Sequence, residues 1–407
     1  MSNQVLTPTM VTNDAVIVLE NNLTIAKFID RSYEPQFGRE GEKVGSTIQV
    51  RKPPRFLGRL GPTLTVEDDY ETSVPLTLTT QFGVDLQFTS QEMALQIQDF
   101  RERLLVPVMA TTANRIDRDL CGLFASIWNL VGTAGVTPAS QQVILLAGQK
   151  LNEMGAPIDD NRACVLGSAA NAGIVNGLVG LFNPQGKISD NYDTGNMGNA
   201  LGFKFSLDQN IQQQTNGALG GAPTTNGANQ GISSGWAVST SLISNNWTAA
   251  AAQRLNGGEI ITLAGCNAVN PQNRQSTGSL QQFVVNGPQS SDGAGNMTLS
   301  ISPAIIFAGA FQNVSASPTN GGALTVTGAA STSFPQNLAF HKNFGTLAMA
   351  DLPIPEGVDF ARRAEYRGFR IRVIRSYDIN GDRLPLRTDV LYGTKAILPE
   401  LAVRITG

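Results

Sequence analysis

The chain contains a single histidine, His341, so a nucleophile and base pair, or a histidine-rich metal site, has at most one imidazole to draw on. A structural histidine is the expectation. Asp378, Asn380 and Asp382 alternate as the opening ligands of a calcium loop do, and Asp389 falls at the twelfth position. Arg383 stands where such a loop needs glycine for its sharp turn, and strand-like sequence flanks it, so an ordinary turn is expected. Neither glycine-rich phosphate cradle, G-x-G-x-x-G or G-x-x-x-x-G-K-[ST], is present, and Gly195-Asn-Met-Gly198 reads as a turn. Cys121, Cys164 and Cys266 are odd in number and far apart, which fits buried reduced thiols rather than a disulfide framework. No catalytic residue, metal ligand set or cofactor is therefore expected.

The remaining candidates are charges that meet other surfaces. Arg51, Lys52, Arg55 and Arg59 form a basic run, followed by the acidic cluster Glu67, Asp68, Asp69 and Glu71. Phe56 is the only interleaved aromatic, so nucleic-acid stacking is not expected, and the run reads either as a solvated loop face or as a contact with an acidic patch on a neighbouring protein. Arg370 and Arg372 share one face of a strand, with Ile371 and Val373 opposite, and could meet another subunit or a nucleic acid. The 29 basic and 32 acidic side chains nearly cancel, so any such attraction is local rather than a field of the whole molecule.

These residues sit on a chain of alternating character. Ala15, Val16, Leu19, Leu23 and Ala26 have helical spacing within Asn13 to Ile29, which predicts an amphipathic helix in an N-terminal arm. From Gly38 to Pro62 the composition turns to Gly, Pro and basic residues around the strand-like run Ser46 to Val50. Pro53-Pro54 resists ladder pairing, so an extended two-stranded loop is expected, returning through Val74 to Thr89. Helical period resumes after Ser90. Past Pro107, Ile116, Leu120, Leu123, Phe124 and Ile127 form one stripe of a helix expected to reach about Leu130. A helix at Ser140 to Met154, a buried strand at Ala163 to Leu166 and a helix near Ala169 to Leu181 follow.

Between Ser233 and Pro335 short strand candidates recur at Ile260 to Leu263, Gln282 to Val285, Met297 to Ile301 and Ala323 to Thr327, separated by turns. This is the pattern of a small β-barrel or sandwich inserted into an α+β frame. Arg370 to Tyr377 and Leu384 to Leu391, joined by Asn380-Gly381-Asp382, read as a hairpin. Charged residues are only 15% of the chain, which suits β-structure with many turns or a surface covered by neighbours. No stretch has the roughly 18 apolar residues of a membrane span, and the start lacks signal-peptide design, so a cytoplasmic setting is expected.

Three ordered blocks resemble the coat protein family of the short-tailed Salmonella phages, a branch of the tailed-phage capsid fold also called the Hong Kong 97 fold. The first runs from Glu20-Asn-Asn-Leu-Thr24 through Phe37-Gly-Arg-Glu-Gly41, Val50-Arg-Lys-Pro-Pro54 and Glu71-Thr-Ser-Val-Pro75 to Asp99-Phe-Arg-Glu-Arg103. The second is Asn270-Pro271 with Gln275-Ser-Thr-Gly-Ser279-Leu-Gln-Gln-Phe-Val284. The third runs from Ala339-Phe-His-Lys342 and Met349-Ala-Asp-Leu-Pro353 through Ile371 to Ile379 and Asp389-Val-Leu-Tyr-Gly393 to Leu398-Pro-Glu-Leu-Ala402.

The resemblance implies an N-terminal arm over 1–37, an extended loop over 38–89, and a peripheral domain with its spine helix over 90–138. It further implies an axial domain over 139–232, an inserted β-rich domain over 233–335 and a return to the axial and peripheral domains over 336–407. The implied function is that of a major capsid protein, a structural component of the virion and not an enzyme. It would assemble in the bacterial host cytoplasm into hexamers and pentamers of an icosahedral shell. The implied partners are other copies of the chain, a scaffolding protein, a portal protein and packaged double-stranded DNA bound non-specifically, with no membrane. The contrasting reading from composition is a β-rich adhesin or carbohydrate-binding tail or fibre component, although Trp236 and Trp247 are the only tryptophans between Ser233 and Pro335.

Overall fold

A computed structural model describes residues 8–37, 43–64, 66–67, 70–89, 105–177, 198–233, 235–381 and 383–407, with side chains from residue 12 onward and not those of 88 and 89. The expected helical period after Ser90, the block Asp99 to Arg103, Asp68, Asp69, Asp382, most of the Gly195 to Gly198 turn and the end of the helix near Leu181 lie outside the described residues. The chain divides into two compact units. The first comprises Met1–Val50, Val74–Leu120 and Gly345–Lys395, and the second Arg51–Ser73, Cys121–Phe344 and Ala396–Gly407.

In the first unit the N-terminal helix α1 spans Pro8–Asn22, and the chain then tightens into a 3-10 turn at Ile25–Lys27. The helix therefore ends earlier than the apolar spacing suggested. The cause lies in Asp117, whose carboxylate accepts the backbone N–H groups of Thr24 at 2.7 Å and Ala26 at 3.2 Å. A carboxylate there satisfies donors that the helical ladder would otherwise claim. All five apolar residues of the stripe are buried, and α1 packs on the strands Phe360–Tyr366 and Phe369–Arg375. The helix expected in an N-terminal arm is thus part of the core of this unit.

The helix α2, Val106–Cys121, carries Ile116 and Leu120 of the expected stripe, both buried, together with Met109, and leaves Leu123, Phe124 and Ile127 beyond its end. It stops well short of Leu130. Gly122 begins a 3-10 stretch to Ser126, and Leu130–Val131 is already a strand. Glycine at the point of exit favours termination over continuation.

The sheet of this unit is centred on Arg383–Ala396, which bonds to Thr80–Thr89, Phe369–Arg375 and Gly345–Ala350, with Phe360–Tyr366 beyond Phe369–Arg375. Thr80–Thr89 was expected as the return limb of the extended loop. Its alternation of Phe82, Val84 and Leu86 with polar residues instead serves a half-buried sheet strand. The two-residue turn Arg367-Gly368 between Phe360–Tyr366 and Phe369–Arg375 has positive φ at both positions, 51° and 82°, as a type I′ hairpin requires.

In the second unit a six-stranded sheet runs in the order Leu130–Val131, Ala402–Ile405, Asn337–His341, Arg162–Leu166, Phe203–Leu207 and Asn199–Ala200. Its three middle strands are buried at every position, which is why Ala163 to Leu166 reads as a continuous apolar run without alternation. Helix α3, Gln141–Glu153, packs on Ala402–Ile405, and α4, Ser168–Gly177, follows the strand Arg162–Leu166.

The inserted module leaves this frame and returns to it through Gln213–Thr215 and Ser333–Pro335, which pair antiparallel. Its sheet order is Leu324–Val326, Ile260–Val269, Ser276–Val285, Met297–Ser302, Thr240–Trp247 and Gly221–Thr225. A bridge between Thr224 and Ala323 joins the two end strands, with Thr225 N–H donating to the Gly322 carbonyl at 2.9 Å. The sheet therefore closes into a six-stranded barrel, which removes its edges. Gly221–Thr225 lies before residue 233, so the barrel begins earlier than the composition shift implied. That strand, Gly-Ala-Pro-Thr-Thr, has none of the bulky apolar residues by which a strand is read.

Candidate interaction surface

The strands Thr47–Arg51 and Ser73–Thr77 form a two-stranded ribbon, extended by Lys52 N–H donating to the Thr72 carbonyl at 2.8 Å. Beyond it residues 52–60 have no regular pairing, as the two prolines require. The basic run separates into two groups. Arg51 pairs with Glu71 at 3.3 Å with both side chains well exposed, and Arg59 donates to the carbonyls of Gly61 and Thr63 within the loop. Lys52 and Arg55 turn inward. Arg55 lies 3.1 Å from Glu400 and 5.9 Å from the Phe311 ring, and the Lys52 ammonium is 5.9 Å from the Trp236 ring. Burial holds the Lys52 amine below its ordinary range, partly offset by Glu400.

Of the acidic cluster, Glu67 accepts the Leu57 backbone N–H at 2.6 Å and Glu71 takes Arg51. Ahead of Glu67 the loop tip presents Leu57, Leu60, Leu64 and Val66 to solvent, with Leu60 fully exposed. Such a row of wet apolar side chains is the ordinary mark of a surface covered in an assembly.

Arg370 and Arg372 lie on one face of the first unit's sheet, in a row of ion pairs. Arg372 donates to Asp389 at 2.5 Å and to the Pro353 carbonyl, and Arg387 reaches the same carboxylate at 2.9 Å. Arg370 is placed between Glu365 at 3.4 Å and Asp351 at 3.8 Å. Both arginines are largely covered, and Asp389 is 2% exposed. Asp389 is thus committed to two guanidinium groups rather than to a cation with Asp378, which instead accepts the Asn380 N–H. A glycine is required directly opposite it. A Cβ on Gly83 would stand 2.3 Å from the Thr388 carbonyl and 2.7 Å from the Asp389 carboxylate.

Two further charged groups are buried. Arg404 is 1% exposed, donates to the Gly258 carbonyl at 2.7 Å and lies 5.2 Å from the Phe124 ring, and desolvation lowers its pKa to about 9. His341 is buried with Nε2 3.1 Å from Asp159 and Nδ1 accepting the Asn343 N–H. Cys164 and Cys266 are buried with their thiols held in the neutral form, Cys266 up to about 11. Among the described residues no three acidic, histidine or cysteine groups gather as a metal would need.

The family model for the P22 coat protein, gene protein 5, matches residues 2–407. The chain belongs to the P22 coat protein family. It is a major capsid protein that forms the head shell of a bacteriophage, and its strand-rich α+β architecture is the capsid fold that the sequence resemblance implied. No curated protein matches it. Solved structures similar to it include one from Mycobacterium phage Che8, 10% identical over 94% of this chain and 90% of that chain, with a TM-score of 0.45. The capsid of cyanophage P-SCSP1u is 10% identical over 93% and 88% with a TM-score of 0.44, and the capsid of Ralstonia phage GP4 is 8% identical over 94% and 89% with a TM-score of 0.43. At these scores they stand as likenesses only.

In this coat protein, sequence reasoning missed Trp236, Phe311 and Glu400 as partners of the loop. Nothing local marks them, since they lie between about 180 and 350 positions along the chain from Lys52 and Arg55. Asp389 stood at a calcium-loop position that the sequence reading set aside for an ordinary turn, without naming a partner for it. The arginines at alternate positions of the neighbouring strand were the better signal, because a buried carboxylate opposite them must be paired.

Proposed function

We propose that the coat subunit joins its neighbours through the extended loop, in hexamers and pentamers that close into the icosahedral shell. Copies of the chain come together in the host cytoplasm around a scaffolding protein, leave one vertex to a portal protein and enclose double-stranded DNA held non-specifically. The part is structural, and no catalytic step is involved. Arg51, Arg59, Glu67 and Glu71 form the polar margin of the contact, with Asp68 and Asp69 completing the acidic side. Arg370 and Arg372, with their carboxylate partners, lie on the sheet face that we assign to another subunit or to the DNA. The closed barrel is the inserted domain, and the sheet around Arg162–Leu166 is the axial domain.

The observation that carries the loop contact is the apolar tip. Leu57, Leu60, Leu64 and Val66 stay wet in the single chain although their side chains favour burial. A second copy that covers them gains hydrophobic stabilisation at no loss to the subunit's own core. Leu60→Asp with Leu64→Asp tests this. The expected result is a folded subunit, judged by circular dichroism, that yields no shells in the electron microscope where the parent chain does. Normal shells from the double variant would remove the tip from the interface.

A further inference from the structure

We propose that Lys52 and Arg55 are positioning residues that latch the loop to the β-rich module and to the turn Pro399–Leu401 of their own chain, so that the cis contact aims the apolar tip at a neighbour. The inference rests on the coat reading only for its consequence in assembly. The latch itself is a property of one subunit.

Both limbs of the loop converge on one small apolar cluster. Phe311 belongs with Ala304 and Ile306, and Trp236 packs against the same group. On the outgoing limb Arg55 lies over the Phe311 ring, and on the returning limb Tyr70 meets that ring edge-on at 6.5 Å between centroids. Lys52 takes the Trp236 ring. Two polar ties close the arrangement: Arg55 to Glu400 at 3.1 Å, and Arg274, from the turn before the strand Ser276–Val285, donating to the Phe56 carbonyl at 2.5 Å.

The sequence between the two basic residues explains why they act together. Lys52 and Arg55 flank Pro53-Pro54, and proline favours an extended helix of three residues per turn, which places positions three apart on one side. The prolines also narrow the freedom of the unlatched loop, so less is lost in seating it. Arg51 and Arg59 contrast with this pair. Among the described residues their polar partners belong to the loop itself, where solvent screens them, whereas the Arg55 and Glu400 side chains are 31% and 15% exposed.

A charge swap read in cis and in trans tests the proposal. Arg55→Glu and Glu400→Arg would each be made alone, combined in one chain, and mixed as two single-variant chains. Thermolysin, which cuts beside Phe56 and Leu57, reports loop opening in the unassembled subunit. Each single variant is expected to be cut about tenfold faster than the parent chain, as local opening allows, with fewer shells formed. The double variant in one chain is expected to recover both protease resistance and shells, and the mixture of singles neither. Shells recovered by the mixture would place the contact between copies and overturn the latch, as would single variants no more easily cut than the parent. The milder Phe311→Leu keeps the test open if a reversed charge prevents folding: it is expected to speed cutting, and unchanged cutting would count against the latch. A parent chain that formed no shells would defeat the coat reading while leaving the protease result standing.

Discussion

The barrel and the sheet around Arg383–Ala396 solve the same problem, a β-surface that must be ordered, with opposite materials. The barrel core is built from Leu242, Trp247, Ile261, Leu263, Phe283, Val285, Leu299 and Ile301, all buried, and its polar contacts are mostly between neutral amides, hydroxyls and backbone. The other sheet keeps one face apolar, with Ile371, Val373 and Val390 buried, and lines the other with Arg370, Arg372, Arg387, Asp389 and Glu365. Closure removes the barrel's edges, and its buried charged groups, Arg254 and Glu259, are held by backbone and hydroxyl partners rather than by opposite charges. The charged face depends on complementary pairs, and a buried pair is strongly destabilising when one member is removed. Stability in the barrel should therefore follow volume, and in the charged sheet it should follow charge.

The largest effect is expected from Phe283→Ala. Phe283 is wholly buried in the barrel core, and its truncation should cost about 4 kcal/mol by lost burial and an unfilled cavity. Amide exchange of the strand Ser276–Val285 would measure it, and the loss should be the same at low and high salt. Asp389→Ala in the other sheet should cost about 3 kcal/mol, because Arg372 and Arg387 both lose their carboxylate. Exchange of Phe369–Arg375 reads that loss. Arg372→Met added to Asp389→Ala should recover part of it, which no refilling of a cavity would do. If the single variant exchanged like the parent, the charged face would not be a stability element.

The two regions also differ in how far the sequence reveals them. In the barrel Ile260 to Leu263, Gln282 to Val285 and Met297 to Ile301 are legible from composition and punctuation, whereas the rest of Ile260–Val269 and Ser276–Val285, and all of Thr240–Trp247 and Gly221–Thr225, are not. In the charged sheet the hairpin is legible from Asn380-Gly381 and from the alternation of Arg with Ile and Val. The pairing of Asp389 with Arg372 depends on register, which a strand's own residues do not state. The same limit applies to the loop. Its extension follows from Pro53-Pro54, but the direction taken by Lys52 and Arg55 depends on Trp236, Phe311 and Glu400, brought near by tertiary structure alone.

The smallest effect sharpens the contrast through pH. Glu34 follows α1 and is buried in the first unit, near Arg31, Arg370 and Glu365, and its carboxyl is raised to about 7, chiefly by burial and against the pull of the two arginines. In the unfolded chain it titrates near 4.5. The folded form therefore holds the proton more tightly, so its contribution is fully present below about pH 4.5 and is lost as pH rises to about 7. Glutamine has the shape of the protonated acid and cannot ionise. Glu34→Gln should match the parent near pH 4.5 and exceed it at pH 8 by about 2 kcal/mol, less than the full pKa difference implies because Arg31 and Arg370 lose a nearby negative charge. Denaturant unfolding of both chains at the two pH values decides this, with amide exchange showing the gain in Phe369–Arg375 and not in Ser276–Val285. A gain shared equally by the barrel strand would mean that the two regions unfold together, and the division of labour between volume and charge would then describe their chemistry but not their stability.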